Sequence, residues 1–348
     1  MKVKASVNPK AFGYQYDPME DGVSQSILEG WLNCRQLAYL RTIRGLTPHA
    51  PSRPLIHGSI SHGAVKYGLR GIMSGATTRV SQLQRGAPAD VEVAHVDWER
   101  EQGSNADSGS RDIAEESSAI LKALLPVYWG HWGAKDLKTK WAKVEDRFRV
   151  HVDTTAGSVP LVGQFDGVFL RNGRPALLET KNKSQWSPAL ADLLPLDLQL
   201  GVYLTAMALS EKADPSVVVY NLIRRPGERR KKTETLAGFS ERIAKNARLD
   251  PGHYFERIEI ELTTQEKNRH KDRVSHLLGT FVQWCQWKSV TEPSGPAKAH
   301  APFGDLGYNS SYCENKYGTC PFLAVCGRED LAGFYVRQHA HPELAESP

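Results

Sequence analysis

Three residues in the middle of the chain, two carboxylates and a lysine, are of the types that form a divalent-metal site for reaction at a phosphate. Asp166 lies in one expected strand, and Glu179 and Lys181 lie in the next, after the turn dipeptide Asn172-Gly173. Residues two apart in a strand point to the same face. Two carboxylates supply the oxygen ligands that Mg²⁺ and Mn²⁺ prefer, and a lysine can orient water and steady charge on a phosphate. The alternative interpretation is a pair of surface ion pairs on a hairpin.

The surrounding patterns predict an α/β core inside helical additions. Alternating or continuous apolar residues predict four strands, and apolar residues at helical spacing predict helices on both sides of them. The polar, Gly- and Ser-rich residues 99–112 predict a surface loop. The expected strands are 143–152, 161–170, 175–181 and 216–223, and the expected helices are 24–42, 57–72, 113–129, 196–210, 237–247 and 265–287.

The chain is expected to divide into four parts. These are an N-terminal arm at 1–23, a helical region at 24–135, the core at 136–290 and a cysteine-containing segment with a tail at 291–348. Its 348 residues are 24% charged and 40% hydrophobic, which is typical of a globular protein. No apolar run approaches the ~20 residues that cross a bilayer, and no signal peptide is indicated, so we expect no membrane partner and a cytoplasmic location.

Five cysteines bear on a second site. Cys313, Cys320 and Cys326 are close in sequence, but their gaps do not match the paired CxxC of a zinc ribbon. A distant cysteine must complete a four-thiolate site, and Cys34 and Cys285 are the two candidates. Cys285, within VQWCQW, has the pattern of a buried core thiol.

A basic segment follows the last expected strand. Residues 224–232 read RRPGERRKK, and the net charge of the chain is +5. The segment is either a solvated turn or a loop that contacts the phosphates of nucleic acid. Its cations are Arg224, Arg225, Arg229, Arg230, Lys231 and Lys232.

The central block resembles the catalytic hairpin of PD-(D/E)XK nucleases, in particular their RecB-like branch. That branch shows a GxxD strand, an ExK strand and a helix with QxxxY, and the chain has Gly163 to Asp166, Glu179 to Lys181, and Gln199 to Tyr203 in this order. The resemblance implies a restriction-endonuclease-like core, a small mixed sheet flanked by helices. It also implies that Asp166, Glu179 and Lys181 are catalytic, that the Thr180 carbonyl can add a metal ligand, and that Gln199 and Tyr203 help to position DNA.

The same branch has a histidine on an N-terminal helix that completes the metal site. Here His62 follows Gly58 at the matching place, with His57 as a rival. An imidazole ligand favours Mn²⁺ more than an all-oxygen site does. The branch often has Glu after this histidine, whereas this chain has Gly63. Glu145, on the preceding strand, is a further acidic group near the expected site.

The cysteines resemble those of iron–sulfur nucleases of this type. In CRISPR-associated adaptation nucleases and AddB-type helicase–nucleases, one cysteine precedes the nuclease core and three follow it. The resemblance therefore selects Cys34 and implies a structural [4Fe–4S] cluster that ties the two ends of the chain together. Zn²⁺ in the same four thiolates is the alternative. The four residues are Cys34, Cys313, Cys320 and Cys326.

The segment from 217 to 260 also resembles phage-encoded relatives, so that the resemblance spans 24–326. It implies a metal-dependent DNA nuclease in phage or bacterial recombination, repair or DNA processing. We expect an exonuclease on DNA ends or single strands, with a helicase, recombinase or integrase as partner. The alternatives are a catalytically silent DNA-binding or scaffolding protein and a restriction-type endonuclease, which usually lacks the cysteines and the QxxxY helix. The matching residues are Arg224, Arg225, Pro226, Lys232, Glu234, Thr235, Phe239, Arg242, Asp250, Pro251, Tyr254, Phe255 and Arg257.

Overall fold

A computed structural model describes most of the chain. The described residues are 16–102, 105–211, 213–215, 217–291, 309–315, 318–328, 330–337 and 339–341. Most of the expected N-terminal arm, the Pro- and Gly-rich residues 292–308 and the end of the tail lie outside them.

Helices and strands alternate through the described part of the chain. A π-helical turn at Tyr39–Ile43 follows the second helix, and a 3-10 turn at Leu194–Leu196 follows the sixth. In chain order the elements are α1 (Gln25–Asn33), α2 (Arg35–Ala38), β1 (Leu46–Pro48), α3 (Arg53–Met73), α4 (Val80–Gln102), α5 (Ser108–Lys138), β2 (Lys140–Thr154), β3 (Gly157–Arg171), β4 (Arg174–Lys183), α6 (Leu190–Leu193), α7 (Leu198–Ser210), β5 (Val218–Arg224), α8 (Leu236–Leu249), α9 (Pro251–Tyr254), β6 (Phe255–Ile260), α10 (Thr264–Thr291), α11 (Ser310–Cys313), β7 (Glu314–Asn315), β8 (Gly318–Thr319), α12 (Leu323–Arg328) and β9 (Phe334–Val336).

The central sheet has five strands in the order β2-β3-β4-β5-β6. Its pairs are antiparallel except for β4 with β5, which is parallel. The turn between β3 and β4 is the predicted one, because Asn172 and Gly173 both have positive φ, 52° and 76°. The expected α/β class with a small mixed sheet flanked by helices is confirmed.

Alternate residues of the strands enter two hydrophobic cores on opposite faces of the sheet. Leu177 and Tyr220 belong to the first core, with α1, α7 and α10, whereas their neighbours Leu178 and Val219 belong to the second, with α3, α4, α5 and α8. No single described helix is long and apolar enough to cross a membrane, although the bent pair Leu190–Leu196 and Leu198–Ser210 reaches that length and composition together.

Two predictions about the N-terminal half are wrong. The expected single helix over 24–42 breaks at Cys34, whose φ of −159° and ψ of 117° are extended. The expected loop at 99–112 is mainly helical in its described part, because α4 continues to Gln102 and α5 begins at Ser108, where the Asp107 side chain accepts the Ser110 N–H at 2.7 Å. Helix α4 itself was not predicted.

The C-terminal segment returns to the N-terminal helices. Strand β9 pairs antiparallel with β1, with Val336 opposite Leu46. The Asn309 side chain donates a hydrogen bond of 2.8 Å to the carbonyl of Asn33, one residue before the break at Cys34. Residues almost 300 positions apart are thereby joined.

A buried polar network lies behind the ExK strand, in the second core. The Arg257 guanidinium donates to both carboxylate oxygens of Asp136 at 2.7 and 2.9 Å, to the Tyr128 hydroxyl at 3.0 Å and to Asn221 Oδ1 at 3.0 Å. Asn221 in turn donates to Thr180 Oγ1 at 3.3 Å. Arg257 and Asp136 side chains are only 4% and 1% exposed, so that each neutralises the other's buried charge.

We expect Asp136→Ala to lower the free energy of unfolding by about 3–5 kcal/mol, because it leaves a buried guanidinium without its carboxylate. Glu116→Ala is the control, since it removes the partner of Arg53 from an ion pair at the surface, where such pairs contribute about 0–1 kcal/mol. Urea unfolding followed by circular dichroism measures both changes. Similar losses in the two variants would contradict the importance of the buried network.

Candidate active site

Pairing of β3 with β4 places Asp166 beside the ExK strand. Asp166 Oδ2 accepts the backbone N–H of Thr180 at 2.7 Å, so the carboxylate is fixed against the residue between Glu179 and Lys181. Burial raises the pKa of Asp166, and the hydrogen bond from Thr180 and the charge of Lys181 oppose this rise only in part. The expected neighbourhood of Asp166 and the ExK residues is therefore present in the structure.

Glu145 approaches Asp166 from the neighbouring strand β2. Its φ of 53° is in the left-handed region, which is rare for a residue with a side chain and costs about 1–2 kcal/mol. The side chain amide of Gln164 donates to its carboxylate. Burial and then the charge of Asp166 raise the pKa of Glu145. Strained backbone at a buried acidic residue is typical of functional sites.

His62 completes a group of three possible metal ligands. His62 Nδ1 lies 3.5 Å from Asp166 Oδ2. One potential ligand atom each of His62, Glu145 and Asp166 lie within 4.8 Å of one another. We call these three residues the candidate metal triad. Burial lowers the pKa of His62 despite the nearby charge of Glu179, so the imidazole is neutral and has a lone pair to offer.

His57, the rival histidine, points elsewhere. It is 2% exposed, and burial, followed by the charges of Arg225 and Arg53, lowers its pKa to about 3. Among the described residues, His57 does not belong to the group whose ligand atoms lie within 4.8 Å of one another. Close packing of α3 on α4 explains Gly63, which stands where the family often has Glu. A Cβ at this position would lie 2.9 Å from Ala94 Cβ of α4.

Glu179 and Lys181 form the other half of the site. Glu179 is 3% exposed, and its Oε1 lies 3.1 Å from Lys181 Nζ. Its Oε2 is buried and has no hydrogen-bond partner among the described residues. Burial and the charge of Asp166 raise the pKa of Glu179 to about 7. Burial lowers the pKa of Lys181, but the carboxylates of Glu179 and Asp197 outweigh it and keep the ammonium protonated.

The QxxxY helix α7 orients Lys181. Gln199 Oε1 accepts a hydrogen bond from Lys181 Nζ, and Gln199 Nε2 donates to the Tyr203 hydroxyl at 2.9 Å. Tyr203 donates in turn to the Gln164 carbonyl at 2.9 Å, two residues before Asp166. These contacts lie within the protein, so a direct role of Gln199 and Tyr203 in positioning DNA stays a prediction.

Two glycines, Gly163 and Gly167, flank Asp166 on β3, where a side chain would have no space. A Cβ on Gly163 would lie 2.5 Å from the Phe148 ring, and one on Gly167 would lie 2.8 Å from the Trp141 ring. Aromatic side chains of β2 therefore occupy these places, and they fix the distance between β2 and β3.

The basic segment 224–232 leaves the sheet where β5 ends. Because β5 runs parallel to β4, with Leu222 opposite Lys181, the segment begins at the end of the sheet that carries Lys181. Arg229, Arg230, Lys231 and Lys232 are exposed. Arg224 differs from them, because it donates to the carbonyls of His253 and Ser184 at 2.6 and 3.2 Å and lies 4.3 Å from the Trp186 ring centre.

Four of the five cysteines influence one another. Cys34 lies at the break between α1 and α2, and Cys320 donates its backbone N–H to the Cys313 carbonyl at 2.8 Å. Burial, followed by the charges of Cys320, Cys34 and Cys313, raises the pKa of Cys326 to about 12. We call these four residues the cysteine group. The pKa of Cys285 is raised by burial and by Asp17 instead.

Both groups have the chemistry of cation sites. Carboxyl groups with raised pKa values, a neutral imidazole and the unpaired Glu179 Oε2 form a donor set that Mg²⁺ or Mn²⁺ fits. In the cysteine group, burial and the other members raise the pKa values of Cys320 and Cys326, and thiols gathered in this way fit a cation that accepts thiolates. From the sequence, Glu179 was expected to be a ligand and Glu145 only to lie near the site. The left-handed backbone conformation that orients the Glu145 side chain has no sequence signal.

Comparison with known proteins assigns the chain to a family. A family model described as the PD-(D/E)XK nuclease superfamily matches residues 22–327. No curated protein matches. Fourteen chains of known structure match, among them one titled "Crystal structure of SSO0001", with 12% identity over 67% of this chain and 88% of that chain. The TM-score of this match is 0.23. On the family match, which covers most of its length, the chain belongs to the PD-(D/E)XK nuclease superfamily.

Proposed function

We propose that the protein is a metal-dependent deoxyribonuclease. The observation that supports this most directly is the convergence of the candidate metal triad on the ExK strand, with a protonated Lys181 beside it. A catalytically silent DNA-binding protein is the alternative. It is disfavoured because every residue type that metal-assisted hydrolysis needs is retained and held in place.

His62, Glu145 and Asp166 would hold the metal, with Glu179 Oε2 and the Thr180 carbonyl as further oxygen ligands. A bound Mg²⁺ or Mn²⁺ polarises the phosphate and eases the deprotonation of an attacking water. Lys181 keeps its proton, so it donates to that water and to the phosphate and does not act as a base. Gln199 and Glu179 hold the ammonium from two sides and fix its direction.

We further propose that the enzyme acts on DNA ends or single strands as an exonuclease, in phage or bacterial recombination, repair or processing, with a helicase, recombinase or integrase as partner. These finer statements rest on the resemblance of the motifs. The exposed cations of the basic segment support contact with the phosphate backbone, which positions a strand without reading its sequence.

Lys181→Ala should lower the rate of metal-dependent DNA cleavage about 100- to 1,000-fold, because it removes the charge beside the reacting phosphate. Labelled single-stranded and duplex DNA with Mg²⁺ or Mn²⁺ provide the assay. Lys140→Ala, which removes an exposed lysine from the start of β2, is the control and should retain full activity. An inactive wild type that binds DNA would favour the silent alternative.

His62→Ala and Glu145→Gln should each weaken Mn²⁺ binding about tenfold or more, because the first removes a ligand atom of the triad and the second removes the negative charge of one. His57→Gln is the matched control and should leave the affinity unchanged. Isothermal titration calorimetry on metal-stripped protein measures all three. Loss of affinity in the His57 variant, or its retention in the other two, would contradict the triad.

For the cysteine group we propose a [4Fe–4S] cluster with a structural role, and Zn²⁺ is the alternative occupant. The group joins α1 and α2 to the C-terminal segment, next to the hydrogen bond between Asn309 and Asn33. Four thiolates provide the ligand set of such a cluster. Because the ligands come from both ends of the chain, binding there would stabilise the fold.

Cys34→Ser should therefore lose iron and sulfide and melt at a lower temperature, whereas Cys285→Ser should keep its iron. Anaerobically purified proteins are compared by iron, sulfide and zinc analysis and by visible absorbance. Stoichiometric zinc without iron in the wild type would disprove the cluster and leave the four-thiolate site. Loss of iron only in the Cys285 variant would disprove the choice of ligand.

A further inference from the structure

Helix α3 carries two more cations in line with His62. Lys66 and Arg70 follow His62 by four and eight residues, a spacing that places all three on one face of a helix. At a rise of about 1.5 Å per residue, Lys66 lies about 6 Å and Arg70 about 12 Å along the axis from His62. The metal-ligand face of α3 thus continues as a basic stripe.

The stripe runs over the strand that carries Glu145. Burial raises the pKa of Glu145, and the positive charges of Lys66 and Arg70 oppose that rise. Both cations are therefore within electrostatic reach of the candidate metal triad.

Lys66 and Arg70 have no carboxylate partner in the described part of the chain. Lys66 lies 4.7 Å from the Tyr67 ring centre, and neither cation forms an ion pair. Three other cations of the N-terminal helices are paired, Arg53 with Glu116, Arg100 with Asp97 and Lys122 with Glu92. Two unpaired like charges one turn apart repel each other, so the stripe suits a ligand with several negative charges in a row.

Helix α3 also connects this stripe to the basic segment. Near its start, His57 feels the charge of Arg225, which follows β5, and eight residues after His62 the helix reaches Arg70 beside β2. Positive charge therefore acts at both ends of α3, from Arg225 near its start and from Arg70 near its end, with His62 between them. A nucleic acid strand that crosses the triad would meet positive charge on both sides of the scissile bond.

We propose that Lys66 and Arg70 bind the phosphodiester backbone of the DNA substrate on the β2 side of the candidate metal triad, where α3 packs on β2. Lysine binds a phosphate as a point charge, and arginine can bind two of its oxygens at once. The inference rests on the proposed function, to which it adds the path of the bound strand.

The test is the salt dependence of DNA binding by full-length Lys66→Gln/Arg70→Gln. A fluorescently labelled single strand is titrated without divalent metal at several salt concentrations, and anisotropy is recorded. Binding should weaken about tenfold or more, and the slope of log affinity against log salt should fall by about 1.4, since each lost phosphate contact contributes about 0.7. Thermal melting shows that the variant is folded.

Arg85→Gln/Lys138→Gln is the matched control, because it removes the same charge from exposed positions on α4 and α5. An unchanged slope in the Lys66/Arg70 variant, or an equal fall in the control, would overturn the inference.

The outcomes also separate the inference from the proposed function. A wild type that cleaves DNA, with an unaffected Lys66/Arg70 variant, would refute the inference alone. A wild type that binds without cleaving, with a weakened variant, would support the inference and refute the nuclease. A wild type that neither binds nor cleaves DNA would refute both.

Discussion

Negative charge concentrated in a poorly solvated place is the constraint on which the rest of this structure depends. Glu145, Asp166 and Glu179 come from three neighbouring strands; burial disfavours the ionised form of each, and the charge of Asp166 adds to this at Glu145 and Glu179. Such groups separate unless the fold holds them. The hairpin, the left-handed backbone at Glu145 and the packing of α3 on the sheet supply that restraint, while Lys181 and the Thr180 N–H supply part of the compensating positive charge.

Thr180 connects the site to the opposite core. Its backbone N–H binds Asp166, and its hydroxyl oxygen accepts from Asn221, which belongs to the buried network of Arg257, Asp136 and Tyr128. Side chains at odd positions of β4 face the catalytic side, and the even position between them is anchored in the second core. The position of the ExK strand is therefore fixed from both faces of the sheet, on one of them by a buried charged network.

The sequence predicts the parts of the site that depend on local pattern. The Asn172-Gly173 turn sets the hairpin register, so the proximity of Asp166 to the ExK residues follows from spacing alone. The break at Cys34 could not be predicted, because the return of the C-terminal segment imposes it. The orientation of the Glu145 side chain could not be predicted either, because the pairing of β2 with β3 imposes it. Helix α4 escaped prediction because its composition, with Pro88 inside it, is polar and weakly periodic.

The meeting of the two ends of the chain has a consequence for biosynthesis. Strand β1 leaves the ribosome almost 300 residues before its partner β9, and Cys34 emerges long before the other members of the cysteine group. The central sheet, whose strands lie between 140 and 260, needs neither of those late segments to form its hydrogen bonds. Vectorial synthesis therefore orders the maturation of the protein: the sheet that carries the acidic residues can assemble first, and the junction that fastens the N-terminal helices is completed only after the C-terminal segment has been synthesised.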